Sequence, residues 1–251
     1  MILTGAVFDP AIQEEALAEL TARANHDHIT IDTFYHGSSV SVRGECDPRT
    51  DVVIKITSPE KSSTLKQKGK VGGLLWMNTA ELEFENTPAL YFVRSAEKID
   101  EILDEQEADK HVLGYKALEH HISIGNIQDE SKKNEWFQEF VKFNETNHVY
   151  RQDNEKIEYT GIRNKRTYYT LFDWPYEAQP GEYSVEVYAV RDGKVIETAH
   201  SSVLVEQAGT VKFLASTARN RSALYGTISI VVALVSGFGT GIVIKSRGGA
   251  H

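Results

Sequence analysis

From residue 28 the chain alternates apolar and polar positions with a period of two. Ile29 and Ile31 alternate with Thr30 and Asp32, and Gly37-Ser38 turns the chain. Val40 and Val42 alternate next, and after a loop over 44–50 Val52, Ile54 and Ile56 alternate again up to Pro59. Residues two apart share one face of a strand, so the pattern predicts three short half-buried strands joined by turns. The stretch 61–70 is basic and polar and reads as a loop. Residues 71–84 and 89–93 read as further extended segments, broken at Gly72-Gly73 and Pro88. The period then lengthens. Ser95 reads as the N-cap of a helix, EKIDEILDEQEADK, with Ile99, Ile102 and Leu103 on one face. A second helical patch surrounds Tyr115, Leu118 and Ile122. A third runs over 132–147, with Trp136, Phe137, Phe140, Val141 and Phe143 as its apolar side. After Tyr150 strands return. Residues 166–174 are aromatic and β-prone, Pro180-Gly181 turns the chain, and Tyr183, Val185, Val187 and Ala189 alternate with polar partners. Asp192-Gly193 then marks a tight hairpin back through 194–205.

The two ends differ from this body. MILTGAV at the start reads as the tail of a signal peptide or a short apolar leader, and Asp9-Pro10 opens a peripheral helix over AIQEEALAELTARA. Near the other end, 224–244 reads LYGTISIVVALVSGFGTGIVI, without one charge. At about 1.5 Å per residue this helix covers about 31 Å, against a hydrocarbon core of about 30 Å. Arg219 and Arg221 flank it on one side, Lys245 and Arg247 on the other. Ser229, Ala233, Gly237 and Gly241 recur every fourth position, a small-residue stripe along which another helix packs closely.

Strands, helices, strands and a terminal apolar helix give a fold class that is mainly β with a helical insertion. The late Gln179-Pro-Gly-Glu-Tyr183 stretch and the hairpin after it suggest an immunoglobulin-like β-sandwich plus one C-terminal transmembrane helix. The expected organisation is a leader and peripheral helix over 1–27, a sandwich over 28–215 with its helical insertion over 95–150, a transmembrane helix over 224–244 and a short tail over 245–251. Two separate domains is the competing arrangement.

A net charge of -9 argues against a nucleic-acid partner, which requires a basic face. The single cysteine, Cys46, rules out an intrachain disulfide. No serine elbow, phosphate-binding glycine loop or Cys-x-x-Cys is present, so no catalytic residue and no cofactor is assigned. His26-x-His28 and His120-His121, with His36, His111 and His148, show no recognised ligand spacing, even with Cys46 and Glu45 nearby, and no metal site is assigned. The acidic run 97–109 reads as a solvated helix face. Arg163, Lys165, Arg166, Tyr168 and Tyr169 read as a charge-protected edge strand, or as a surface for an anion or lipid headgroups.

A family resemblance rests on pieces in order along the chain: Phe34-x-x-Gly37 with Val40, Val42 and Gly44; Asp51-Val52-x-Ile54 up to Pro59; and Leu75-Trp76-Met77-Asn78 with Phe84, Pro88 and Tyr91. Pro180-Gly181-x-Tyr183 through Arg191-Asp192-Gly193 follows, then Leu224-Tyr225-Gly226. The chain resembles the uncharacterised single-pass transmembrane protein family first described in alphaproteobacteria. The resemblance implies a cleaved signal peptide, a periplasmic domain and a C-terminal anchor in the bacterial inner membrane. A tail-anchored protein with a cytoplasmic domain is the alternative topology. The expected function is that of a non-enzymatic accessory or interaction protein of a membrane complex. Its partner is a membrane protein or a second copy met through the helix, with a sulfite-exporter-like permease suggested by association within the family. The alternative is a periplasmic binding module for a metal ion or small anion.

Overall fold

The computed structural model describes residues 19–25, 28–32, 35–71, 75–125, 127, 130–154, 157–162 and 165–247, with backbone only at 67–71, 75–80, 130, 162, 210–212, 214–215, 239 and 241–247. Strands β1 (Arg23–Asn25), β2 (His28–Ile31), β3 (Ser38–Cys46) and β4 (Asp51–Thr57) come first. A long hairpin follows, β5 (Glu60–Val71) and β6 (Leu75–Pro88), and then β7 (Tyr91–Ser95). The helical stretch holds α1 (Ile99–Ile102), α2 (Glu105–His111), α3 (Tyr115–His121), β8 (Ser123–Gly125) and α4 (Lys133–Thr146). Strands β9 (Tyr150–Asp153), β10 (Glu158–Ile162), β11 (Lys165–Trp174), β12 (Gly181–Arg191) and β13 (Lys194–Gln207) precede α5 (Gly209–Asn220) and α6 (Ser222–Arg247).

Two sheets make the body, ordered β1-β3-β11-β10 and β2-β13-β12-β4-β7-β9. Each mixes strands from before Ser95 with strands from after Tyr150. The second sheet is antiparallel except at its rims, where β2 runs parallel to β13 and β9 parallel to β7. The sheets face each other across one core. Val40, Val42, Tyr168 and Phe172 come from the first sheet; Ile54, Ile56, Phe92, Val185, Val187 and Val203 come from the second. The opposite face of the second sheet is covered as well. There Val53, Tyr91, Val93, Tyr188 and Val190 pack with Leu113, Leu118, Phe137, Phe140 and Val141 of the helical stretch. A strand covered on both faces reads as a continuous apolar run. This is why every residue of β7 is buried, and all of β4 between its two ends.

Several expectations are corrected. The stretch 61–70 is not a loop but β5, paired with β6 along its length. Of its described apolar side chains only Leu65 packs on the core, so the residues show no alternation. The helix expected after Ser95 breaks in two. Leu103 is buried between the pieces, Asp104 stays extended, and the Asp104 N–H donates to the Gly193 carbonyl at 2.8 Å. Ser95 caps neither piece; its hydroxyl donates to the Glu97 carbonyl. The peripheral helix expected over 11–24 lies mostly outside the described residues, and its last residues form β1, paired with β3. The mainly β class with inserted helices holds. Asp192-Gly193 is the tight hairpin turn, with φ positive at both positions as a two-residue loop between twisted strands requires.

One polar side chain ties the two sheets together. Arg94 on β7 is 2% exposed and points into the space between them. Its Nε and Nη2 meet the Asp153 carboxylate of β9 at 2.6 and 2.8 Å. Nη1 donates to the Thr170 hydroxyl at 2.9 Å and the Leu171 carbonyl at 2.8 Å, both on β11 of the other sheet. The guanidinium also lies 4.5 Å from the centroid of the Phe172 ring. Breaking a buried ion pair from one side strands the other charge, at a cost of about 3–5 kcal/mol. Arg94→Ala and Asp153→Ala are each expected to lose about that much in urea unfolding of the full chain in micelles. A loss under about 1 kcal/mol would show that water reaches the site and the pair is not buried as described.

Candidate functional site

β12 begins, β13 ends and β5 begins at the same end of the body, and α5 leaves from there. The exit is fixed by backbone. Gly209 takes φ +59, and the Ala208 N–H donates to the Ile31 carbonyl at 2.9 Å, so the last strand stays clamped to β2 up to the start of α5. The helical run then breaks once, at Arg221 (φ -142, ψ 57). Arg221 stays bonded on both sides of the break, its N–H to the Thr217 carbonyl at 2.9 Å and its carbonyl to the Tyr225 N–H at 3.0 Å. The break bends the chain without separating α5 from α6.

Between α5 and the end of the sheets lies a notch of about 620 Å³, lined by Lys61, Gln179, Gln207, Ser216, Arg219 and Asn220 with Pro180. Lys61 Nζ donates to Gln179 Oε1 at 3.1 Å. Among the described residues the lining holds two cations, three amide side chains and a hydroxyl, and no carboxylate. Sequence reasoning missed this site. Arg219 was legible only as a helix flank and Lys61 only as part of a basic stretch, because their approach depends on α5 folding back beside the start of β5.

The stripe residues Ser229, Ala233, Gly237 and Gly241 all fall on α6. Ser229 returns its hydroxyl to the Tyr225 carbonyl at 2.9 Å, and a Cβ added at Gly237 would meet nothing within 4 Å. The side chain position of Gly241 lies outside the described residues. Bulky apolar side chains elsewhere on the helix are exposed, among them Ile230, Val231, Leu234, Val235 and Phe238.

The other candidates disperse. His120 and His121 turn to different partners, Asp109 at 2.9 Å and Glu60 at 2.7 Å, and His28 meets Glu206 at 3.2 Å; His26 lies outside the described residues. Among the described residues no group of three or more His, Cys, Asp or Glu side chains is placed to hold a metal ion. The acidic run is a solvated face whose charges pair locally, as Glu105 does with Lys116 at 3.1 Å. The basic and aromatic stretch splits by strand alternation. Tyr168 is buried and donates to the Thr21 carbonyl. Lys165 pairs with Glu45, Arg166 reaches the Thr50 carbonyl, Tyr169 is exposed, and Arg163 lies outside the described residues. A buried network does exist on the helix-covered face. Lys55 Nζ meets Glu186 at 2.8 Å and the His111 carbonyl at 2.7 Å, and the Tyr188 hydroxyl donates to the same Glu186 at 2.5 Å. Burial pushes the Glu186 carboxyl up, but the Lys55 and Tyr188 hydrogen bonds outweigh it and its pKa falls. These groups satisfy one another and cap the end of α2; the cavity beside them is only about 70 Å³.

With the geometry in hand, the comparison with known families decides kinship. Residues 19–246 match the family described as "Putative transmembrane protein (Alph_Pro_TM)". The chain belongs to this family. Membership in this alphaproteobacterial family associates the chain with the membrane, as the resemblance along Val40, Asp51, Pro180 and Leu224 implied. The family has no established function. No curated protein matches the chain. Among the described residues no helix is long and apolar enough to cross a membrane. The expected span over 224–244 therefore does not emerge from the described part of α6: its backbone continues to Arg247, but the side chains at 239 and from 241 onward are outside it.

At the far end of the body from the notch, the loop between β3 and β4 carries a second charge cluster. Asp47 accepts from the Arg49 N–H at 2.8 Å, from the Arg49 guanidinium at 3.2 Å, and lies 3.0 Å from Arg191 of β12. Its hydrogen bonds to Arg49 hold the carboxyl down at about 2 against the opposing effect of burial, with the charges of Arg49 and Arg191 adding to them. A depressed carboxyl contributes stability that is complete above its unfolded value near pH 4 and is lost as pH falls through about 2. The urea midpoints of the wild type and Asp47→Asn are expected to differ at neutral pH and to converge between about pH 4 and pH 2. A gap that stays constant across that window would contradict the assignment.

Proposed function

We propose that this chain is a single-pass membrane protein in which α6 holds the two-sheet body at the bilayer surface, and that it acts as a non-enzymatic accessory of a membrane complex. The observation that carries the reading is the exposure of Ile230, Val231, Leu234, Val235 and Phe238 on a helix of 26 residues. Such a helix is about 39 Å long, and about 30 Å of hydrocarbon would take up the charge-free stretch over 224–244. At about 100° per residue the bulky apolar side chains from Ile228 to Phe238 occupy most of the circumference, and Ser229, Ala233, Ser236, Gly237 and Thr240 fall together in the remaining arc, which Ile244 enters at the end of the stretch. In lipid, bulky faces meet acyl chains and a small-residue arc meets another helix.

In the same reading the body is immunoglobulin-like. The order β1-β3-β11-β10 against β2-β13-β12-β4-β7 supports it, with the first segment divided between the sheets. So does Tyr183 near the start of β12, whose hydroxyl donates back to the Gln179 carbonyl at 2.6 Å as a tyrosine corner does. Val185, two residues on, is fully buried where antibody domains place a cysteine, so packing stands in for the disulfide. The body faces the periplasm and the tail from 245 the cytoplasm, as the family resemblance implies. A domain of this kind presents loops and sheet faces to a partner, here a permease-like membrane protein or a second copy. The notch with Lys61 and Arg219 favours the second reading, a surface module for a small anion.

Two measurements test the anchor and its packing face. The full chain is expected to stay with membranes through alkaline carbonate, and protease added to spheroplasts is expected to remove the body; extraction by carbonate, or full protection of the body, would sink the reading. Gly237→Ile is expected to weaken crosslinking of α6 to its partner helix by on the order of 1–2 kcal/mol while leaving insertion intact. Unchanged crosslinking would reduce the helix to a tether.

A further inference from the structure

The notch at the foot of the body sits where phosphate-bearing headgroups lie if α6 spans the bilayer. The apolar run begins at Leu224, five residues after Arg219. At about 1.5 Å per residue five residues rise about 7.5 Å, and with the chain bent at Arg221 this places Arg219 near the outer edge of a headgroup layer about 5–7.5 Å deep on each side. Lys61 reaches the same cavity from the start of β5, and Gln179, Gln207, Ser216 and Asn220 supply uncharged donors. The composition of this lining is the informative part. The chain carries 36 acidic and 27 basic residues, yet among the described residues the notch gathers two cations and no carboxylate. The carbonyl end of α5 is quenched at one position, where the Arg221 N–H donates to the Thr217 carbonyl. The volume of about 620 Å³ suits a glycerophosphate headgroup.

We infer that the notch between α5 and the end of the sheets binds the phosphate of an anionic phospholipid headgroup, with Lys61 and Arg219 as the charged ligands. The inference rests on the reading of α6 as the membrane anchor. Neither cation is needed by the core: both side chains are exposed, and Lys61 donates to the equally peripheral Gln179. Binding there would hold the body at one height and one rotation on the membrane, since the same lipid touches the first strand of the hairpin and the helix before the anchor. The shared chemistry is a phosphate, and inorganic phosphate is its soluble source.

The test uses the full chain in micelles containing equal amounts of phosphatidylglycerol and phosphatidylcholine, read by native mass spectrometry. Wild type is expected to retain phosphatidylglycerol roughly twenty-five-fold over phosphatidylcholine, about fivefold for each of the two juxtamembrane cations. Lys61→Gln and Arg219→Gln are each expected to cut that preference roughly fivefold, and Lys165→Gln, exposed on the first sheet away from the notch, to leave it unchanged. Equal retention of both lipids, or variants indistinguishable from wild type, overturns the inference. So does retention of inorganic phosphate in place of the lipid when phosphate is added at millimolar concentration, which would make the notch a site for the free anion. Carbonate extraction of the same proteins separates the two readings. A chain that leaves the membrane refutes the anchor, whereas an integrated chain without lipid preference refutes only the headgroup site.

Discussion

A buried guanidinium sets the terms for the whole body. Arg94 has no water to fall back on, so its donors must be met by protein, and they are met from two directions: Asp153 within its own sheet and Thr170 with the Leu171 carbonyl across the gap. Satisfying both at once fixes the distance between the sheets and the sliding of one over the other, which apolar packing alone defines loosely. β9 owes its place to this pair. It is a short parallel rim strand, and Asp153 is what its last residue contributes. The helical stretch before it must therefore leave and return within reach of β7, which closes that stretch over the outer face of the second sheet.

That closure changes what the second sheet is. An antiparallel sheet with one wet face would show polar residues at alternate positions. Here Val53, Tyr91, Val93, Tyr188 and Val190 face the helices, and even the charges on that side are paired, Lys55 with Glu186 and with the His111 carbonyl at the end of α2. Tyr91 is the clearest instance. Its hydroxyl donates toward the Val112 carbonyl and accepts from the Gly114 N–H, so one strand residue holds the turn between α2 and α3. Burial pushes its phenol well above the ordinary range.

Legibility in the sequence followed these constraints. The core strands were readable because Val40, Val42, Ile54, Ile56, Val185 and Val187 keep strict alternation toward a single core. β5 was not readable, since pairing with β6 satisfies its backbone while most of its described side chains stay exposed. The helix after Ser95 looked continuous because Ile99, Ile102 and Leu103 share a helical face. Its interruption depends on Gly193, ninety residues away in the chain, accepting the Asp104 N–H. The small-residue stripe was visible at once as spacing. The notch was invisible, since nothing in the local residues around Lys61 announces Arg219.

The way β13 joins α5 has a mechanical side. β13 is bonded to β12 from Lys194 to Val205 on one edge and to the parallel β2 on the other, next to the point where the chain leaves for α5. Tension delivered through α5 in line with this strand would act at right angles to the antiparallel rungs that hold it to β12. The rungs then share the load and must shear together, where a strand pulled from its side would peel away one bond at a time. A domain hung by its last strand in this way yields at its loops and helical cover long before that strand lets go.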